Sequence, residues 1–123
     1  MNTVVWIVQI LLALAFGMAG LMKLTQPKEK LAARMGWVND FSQNMVRAIG
    51  LIELVAVLGL ILPALTGILP ILTPLAAAGL VLTMIGAIVV HLRRKENALI
   101  AVNVVLLLLA AFVVYGRFIA VPL

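Results

Sequence analysis

The stretch LVAVLGLILPALTGILPILTPLAAAGLVLTMIGAIVVHL, residues 54–92, carries no charged side chain. A water-soluble chain of 123 residues has too little interior to bury such a run together with its neighbours. It is also too long for one helix, and Pro63, Gly67, Pro70 and Pro74 interrupt its middle. Proline lacks the backbone donor a helix needs, and Pro and Gly clustered together mark a turn. The run therefore reads as parts of two membrane spans, Val46–Leu65 and Thr73–Leu92, joined by a short apolar turn. Pro74 falls in the first turn of the later span, where its missing N–H costs nothing.

Working outward, residues 1–22 and 97–116 are also uncharged. They give spans at Thr3–Leu24 and Asn97–Phe118. Each of the four runs has roughly 18–22 residues, enough to cross a hydrocarbon core about 30 Å thick. The first run lacks a basic leader and is too long for a cleaved signal core, so it reads as a retained span. The expected fold is all-α: one domain, residues 1–123, forming an integral membrane four-helix up-down transmembrane bundle.

Composition agrees. The chain is 66% hydrophobic and 11% charged, with a mean hydropathy of +1.29. A soluble domain is about one quarter charged. The formal charge is +5, but the basic residues border apolar runs. That points to membrane lipids with anionic head groups as partners, not to nucleic acid. There is no cysteine and one histidine. Disulfides, thiolate metal sites and a dithiol redox step carried by this chain are excluded, and no metal or haem site is expected.

The connections differ. Residues 25–45 are polar and hold Pro27, Lys28, Glu29, Lys30, Arg34 and Asp40. Leu31, Met35 and Val38 share one helical face with Trp37 and Phe41 nearby, which predicts a short interfacial helix between spans one and two. Residues 66–72 carry no charge, and the third connection is Arg93-Arg94-Lys95-Glu96. The first and third connections with their flanks hold Lys23, Lys28, Lys30, Arg34, Arg47, Arg93, Arg94 and Lys95, against Arg117 alone at the other end. Eight against one predicts that both connections are cytoplasmic and both termini non-cytoplasmic, in a multi-pass protein of the cytoplasmic (inner) membrane.

Polar groups inside lipid are costly, so each one inside a span is a candidate for function. Glu53 lies two turns inside span two, about 9 Å beyond Arg47 at 1.5 Å per residue. It is either one half of an inter-helix pair that fixes the bundle or a group that handles a ligand or proton. Lys23, His91 and Asn103 sit at comparable depth on the other spans. Taken singly, Lys23 can snorkel to the interface, His91 can be structural and Asn103 can hydrogen-bond between helices. In an up-down bundle they converge with Glu53 on one end, giving a candidate ligand or proton cluster of Lys23, Arg47, Glu53, His91 and Asn103. Gln9 lies about 21 Å along the helix from Lys23, and Arg117 bears the same relation to Asn103. With Tyr115 they form a candidate second layer at the other end. Alternatively Arg117, Tyr115 and Trp6 simply anchor span ends.

Small residues mark expected helix contacts: Ala13, Gly17 and Gly20 on span one, and Ala76, Gly79, Thr83, Gly86 and Ala87 on span three. These stripes predict tight packing rather than a wide aqueous pore. Leucine at Gly20 or Gly86 would then push helices apart.

Four phrases, Gly20-Leu21-Met22-Lys23-Leu24, Arg47-Ala48-Ile49-Gly50-Leu51-Ile52-Glu53-Leu54, His91-Leu92-Arg93-Arg94 and Gly116-Arg117, together resemble the DoxX-like family of small four-span membrane proteins. The order and spacing match over nearly the whole chain. The resemblance implies a four-helix transmembrane bundle and a relation to the small membrane subunit of a thiosulfate:quinone oxidoreductase. Other relatives are linked to redox-stress complexes, and a distant animal branch to receptor assembly. On the family pattern the carried-over positions are Lys23, Arg47, Glu53 and His91, with Asn103 and Arg117 behind them. The absence of cysteine counts against a redox role of the chain's own.

The resulting expectation is a small integral membrane protein that binds a lipid-like or quinone-like ligand, or a partner subunit, through the polar cluster. No nucleophile–base pair or nucleotide loop is visible, so no catalytic residues are assigned and the chain alone is not expected to be an enzyme. Quinone is the candidate cofactor. A homo-oligomer or a redox partner subunit is the candidate assembly. The alternatives are a membrane subunit of a quinone-linked oxidoreductase complex, and a structural or assembly factor without a ligand site.

Overall fold

The computed structural model describes residues 1–32 and 35–123. Arg34, counted above among the cations of the first connection, lies outside the described residues. The four expected spans are helices long and apolar enough to cross a membrane. They are α1 (Asn2–Thr25), α3 (Gln43–Thr66), α4 (Leu72–Arg94) and α5 (Asn97–Tyr115), and α5 runs on into one π-helical turn, Gly116–Ala120. The first connection holds a one-turn helix, α2 (Lys28–Leu31), and a 3₁₀ turn, Gly36–Asp40. Among the described residues there is no strand.

Local chemistry sets the helix ends. Ser42 precedes α3, and its hydroxyl accepts the N–H of Met45 at 3.1 Å, the usual way to pair an orphan donor of the first turn. Gly67 ends α3 at φ +72°, a left-handed cap that glycine adopts without strain. Lys95 closes α4 in the same conformation, and the Glu96 N–H donates to the His91 carbonyl at 2.9 Å. That tight reversal starts α5 at Asn97.

The helices form a ring in which α1 packs on α3 and α5, and α4 packs on α3 and α5. Their shared interior is apolar: Val8, Leu12 and Phe16 from α1, Leu60 from α3, Ala77, Leu80 and Met84 from α4, and Ala110 and Val113 from α5. The outside is apolar too, with Leu14, Met18, Leu51, Val55, Leu82 and Leu108 exposed. The polar exceptions Gln9, Glu53, Thr73, His91 and Arg117 are buried. Apolar residues on the outer wall with polar groups held inside are what a hydrocarbon solvent selects. The chain is a multi-pass, all-α membrane protein.

Pro63 lies inside α3 and does not end it. Its missing N–H leaves the carbonyl four residues earlier, that of Gly59, without its helical partner. The Thr73 hydroxyl donates to Gly59 O at 3.1 Å, and the Gln9 amide donates to Leu60 O at 2.8 Å. Thr73 thus repairs the ladder where lipid offers no donor, and Gln9 adds a bond to the neighbouring carbonyl. Thr73→Val keeps the shape and removes the hydroxyl. It is expected to cost about 1–3 kcal/mol, the penalty of an unpaired buried carbonyl, read as a lower melting temperature in detergent.

Candidate functional site

The geometry at the end of the bundle that carries the first and third connections begins with two glycines. A Cβ on Gly20 would lie 2.8 Å from Gly50 O, and one on Gly50 would lie 2.6 Å from Gly20 O. Only two hydrogens there let the backbones of α1 and α3 come so close. Lys23 and Glu53 each follow three residues later, on antiparallel helices, so their Cα atoms are separated by about 9 Å along the axis. Side chains lean toward the N-terminus of their own helix. Lys23 therefore leans into the bundle and Glu53 leans out to meet it. Lys23 Nζ donates to Glu53 Oε1 at 2.5 Å, with 11% and 2% of the two side chains exposed. Gly50 also makes room for this descent, since a Cβ there would strike Lys23 Cβ at 2.9 Å.

The ion pair borders a cavity of about 530 Å³. Of the five residues expected in the cluster, Lys23, Glu53, His91 and Asn103 line it, one from each long helix. Arg47 does not. It is exposed, because it sits roughly 120° around α3 from Glu53. His91 pairs with Glu96, Nδ1 to Oε1 at 3.1 Å, rather than with Glu53. Asn103 Nδ2 is buried without a hydrogen-bond partner.

Apart from Thr83, whose hydroxyl donates to Gly79 O, the remaining lining is apolar or aromatic and includes Met35, Trp37, Phe41, Met84, Val90 and Val102. Trp37 and Phe41, noted in the sequence only as neighbours of the interfacial face, form one wall. Their rings meet edge to face at 5.6 Å, and Lys23 Nζ lies 5.3 Å from the Trp37 ring centroid. The first connection is held over the cavity at two points. Leu31, Val38 and Val46 pack into a small core of their own. Arg94 Nη1 donates to Asp40 Oδ2 at 2.9 Å, and Arg94 Nε donates to Glu96 at 3.0 Å. The Arg94–Asp40 pair is well exposed, so Asp40→Asn is expected to change stability by under about 1 kcal/mol, measured by thermal unfolding.

The small-residue stripe on α4 departs from the expectation of tight packing. Positions for a Cβ on Gly79 and Gly86 have no other atom within 4 Å. Small side chains leave volume that either a helix or a void can fill. On α1 and α3 a helix fills it; at Thr83, Gly86 and Ala87 the cavity does. Leucine at Gly86 is therefore expected to leave the melting temperature unchanged or slightly higher, while occupying the cavity.

At the opposite end, Arg117 Nε donates to Gln9 Oε1 at 2.6 Å, and Nη1 donates to Asn2 Oδ1 at 2.8 Å and to Val121 O at 3.0 Å. Gln9 and Arg117 thus meet, and the guanidinium also lies 5.6 Å from the Trp6 ring centroid. Tyr115 faces outward, 49% exposed. Among the described residues no three His, Cys, Asp or Glu side chains converge in a metal-binding group.

A family profile described as the DoxX-like family matches residues 7–113. No curated protein and no solved structure gives a significant match to the chain.

Proposed function

The chain belongs to the DoxX-like family, and from that premise we propose that it is a membrane protein that binds a lipid-like or quinone-like molecule in the cavity between Glu53 and Asn103. One observation carries this reading: a void of about 530 Å³ with aromatic and aliphatic walls and a buried, unpartnered amide donor at Asn103. Apolar walls favour an apolar guest, and a buried amide donor favours one that brings an acceptor. A guest with an apolar body and a carbonyl or ester oxygen meets both demands. Its oxygen accepts from Asn103, its body lies against Trp37 and Met84, and the Lys23–Glu53 pair gives the polar end of the cavity a dipole. In the orientation favoured by the Lys and Arg count, this end faces the cytoplasm of a bacterial-type inner membrane.

The chain has two tryptophans, Trp6 and Trp37, at opposite ends of the bundle, which gives a direct test. In a Trp6→Phe background, a short-chain benzoquinone is expected to quench Trp37 fluorescence saturably at one equivalent, and Gly86→Leu is expected to abolish the saturable part. Linear quenching that is identical in both proteins would reject the reading. Asn103→Leu adds a second check with two opposite signs. Removing an unpartnered donor is expected to raise the stability of the ligand-free protein by about 1 kcal/mol and to weaken quinone binding severalfold.

A further inference from the structure

At the end of the bundle remote from the cavity, Arg117 is 3% exposed, and its Nη2 is buried with no hydrogen-bond partner. Its other guanidinium nitrogens are held by Gln9, Asn2 and Val121, all neutral acceptors. The chain has four acidic side chains, Glu29, Asp40, Glu53 and Glu96. Glu53 is taken by Lys23, and Asp40 and Glu96 by Arg94 at the other end of the bundle. Glu29 lies on α2 in the first connection, at that same far end. Arg117 makes no ion pair among the described residues, although the terminal residue Leu123 lines the same pocket. A buried cation held only by neutral acceptors is costly, and more so in lipid.

Arg117 borders a second pocket of about 230 Å³, whose other walls are Pro70, Ile71, Pro74, Phe118, Pro122 and Leu123. Pro70, Ile71 and Pro74 bracket the start of α4, a helix of 23 residues whose N-terminus carries no side-chain cap. Its first-turn N–H groups are engaged, Leu72 N with Leu69 O, Thr73 N with Pro70 O and Leu75 N with Ile71 O, so the helix contributes only the positive end of its dipole there. Ile71 and Phe118 are 51% and 43% exposed, so the pocket opens onto an apolar outer wall. The π-helical turn sets this up. Gly116 is pressed against Val5, where a Cβ would lie 2.7 Å from the Val5 side chain. That contact keeps Arg117 against Gln9.

We propose that Arg117, beside the positive end of the α4 dipole, forms an oxyanion site, distinct from the cavity at the other end, in which its free Nη2 takes the phosphate of an anionic phospholipid whose acyl chains lie along Ile71 and Phe118. The same chemistry would accept free phosphate, and the test separates the two sources.

The purified protein in neutral maltoside detergent is melted with dioleoylphosphatidylglycerol, with dioleoylglycerol, which has the same tails and no phosphate, or with inorganic phosphate. The phospholipid is expected to raise the melting temperature by about 4 °C or more, and dioleoylglycerol to leave it unchanged. A rise with inorganic phosphate equal to that with the phospholipid assigns the site to a free oxyanion instead of a lipid. Arg117→Gln should lose the response. Because that variant also breaks the contacts to Gln9 and Asn2, Ile71→Glu is the second probe. It leaves the Arg117 network intact and supplies an internal carboxylate at the pocket wall. It is expected to melt higher than wild type without lipid and to lose the phospholipid response. An Ile71→Glu protein that responds like wild type, equal shifts with both lipids, or no shift with any of the three probes, would overturn the proposal.

Discussion

Gly50→Ala is expected to destabilise the bundle by about 2–3 kcal/mol, the upper range for overpacking, although it adds one methyl group to a helix that would otherwise favour it. The reason is what the methyl meets. Two of its three nearest neighbours are backbone atoms, Gly20 O at 2.6 Å and Leu24 N at 2.9 Å. Neither can rotate away, so α1 and α3 must separate. The third is Lys23 Cβ at 2.9 Å, so the same change tilts the lysine away from Glu53. Gly79→Ala is the control. It has open space around the new methyl, and with glycine's excess chain entropy removed it should gain about 0.5–1 kcal/mol. Unfolding followed by circular dichroism in detergent compares the two. Equal effects would mean that the α1–α3 contact is looser than described.

The second large effect is asymmetric. Breaking a buried ion pair by removing one partner costs about 3–5 kcal/mol, but the two partners of this pair differ in their escape routes. Lys23 lies two residues from the end of α1, and a freed lysine can extend to the interface. Glu53 lies ten residues inside α3 and cannot. Lys23→Met, which strands the carboxylate, should therefore destabilise more than Glu53→Gln, which frees the lysine. The double variant Lys23→Met with Glu53→Leu should recover most of the loss, since a packed apolar pair replaces a charged one. Thermal unfolding of the four proteins, side by side, measures this. If Glu53→Gln proves the more damaging single change, the carboxylate has a further partner.

Much of the fold was legible in the sequence because charge is so sparse. Runs without a charged residue place the four spans to within a few residues, and Gly67 with its flanking prolines places the α3–α4 turn. Depth along the membrane could be read in the same way, and it selected Lys23, Glu53, His91 and Asn103. Azimuth was harder. Arg47 matches the cluster in depth but points elsewhere, and Tyr115, two residues and about 200° from Arg117, faces the opposite way. Partner choice was not legible. That Lys23 reaches Glu53 depends on the Gly20–Gly50 register, and that His91 turns to Glu96 depends on the tight reversal at Lys95. A stripe of small residues does not say whether a helix or a cavity lies beside it: Ala76 does pack against Gly59 on α3, whereas Gly79 and Gly86 meet no neighbouring helix. Trp37 and Phe41 escaped as wall residues because they lie in a connection. Thr73 escaped although a signal existed: a proline inside a span orphans a carbonyl, and a nearby hydroxyl is a candidate to repair it.

The account rests on the cavity being a binding site and not a packing defect. Native mass spectrometry from mild detergent, with the released small molecules identified, tests this by comparing wild type with Gly86→Leu at matched melting temperature. Wild type is expected to carry one tightly held amphiphile with a carbonyl or ester oxygen, and Gly86→Leu to have lost that species while keeping other lipids. The same bound species in the same amount on both proteins, or none on wild type across mild detergents, would contradict it.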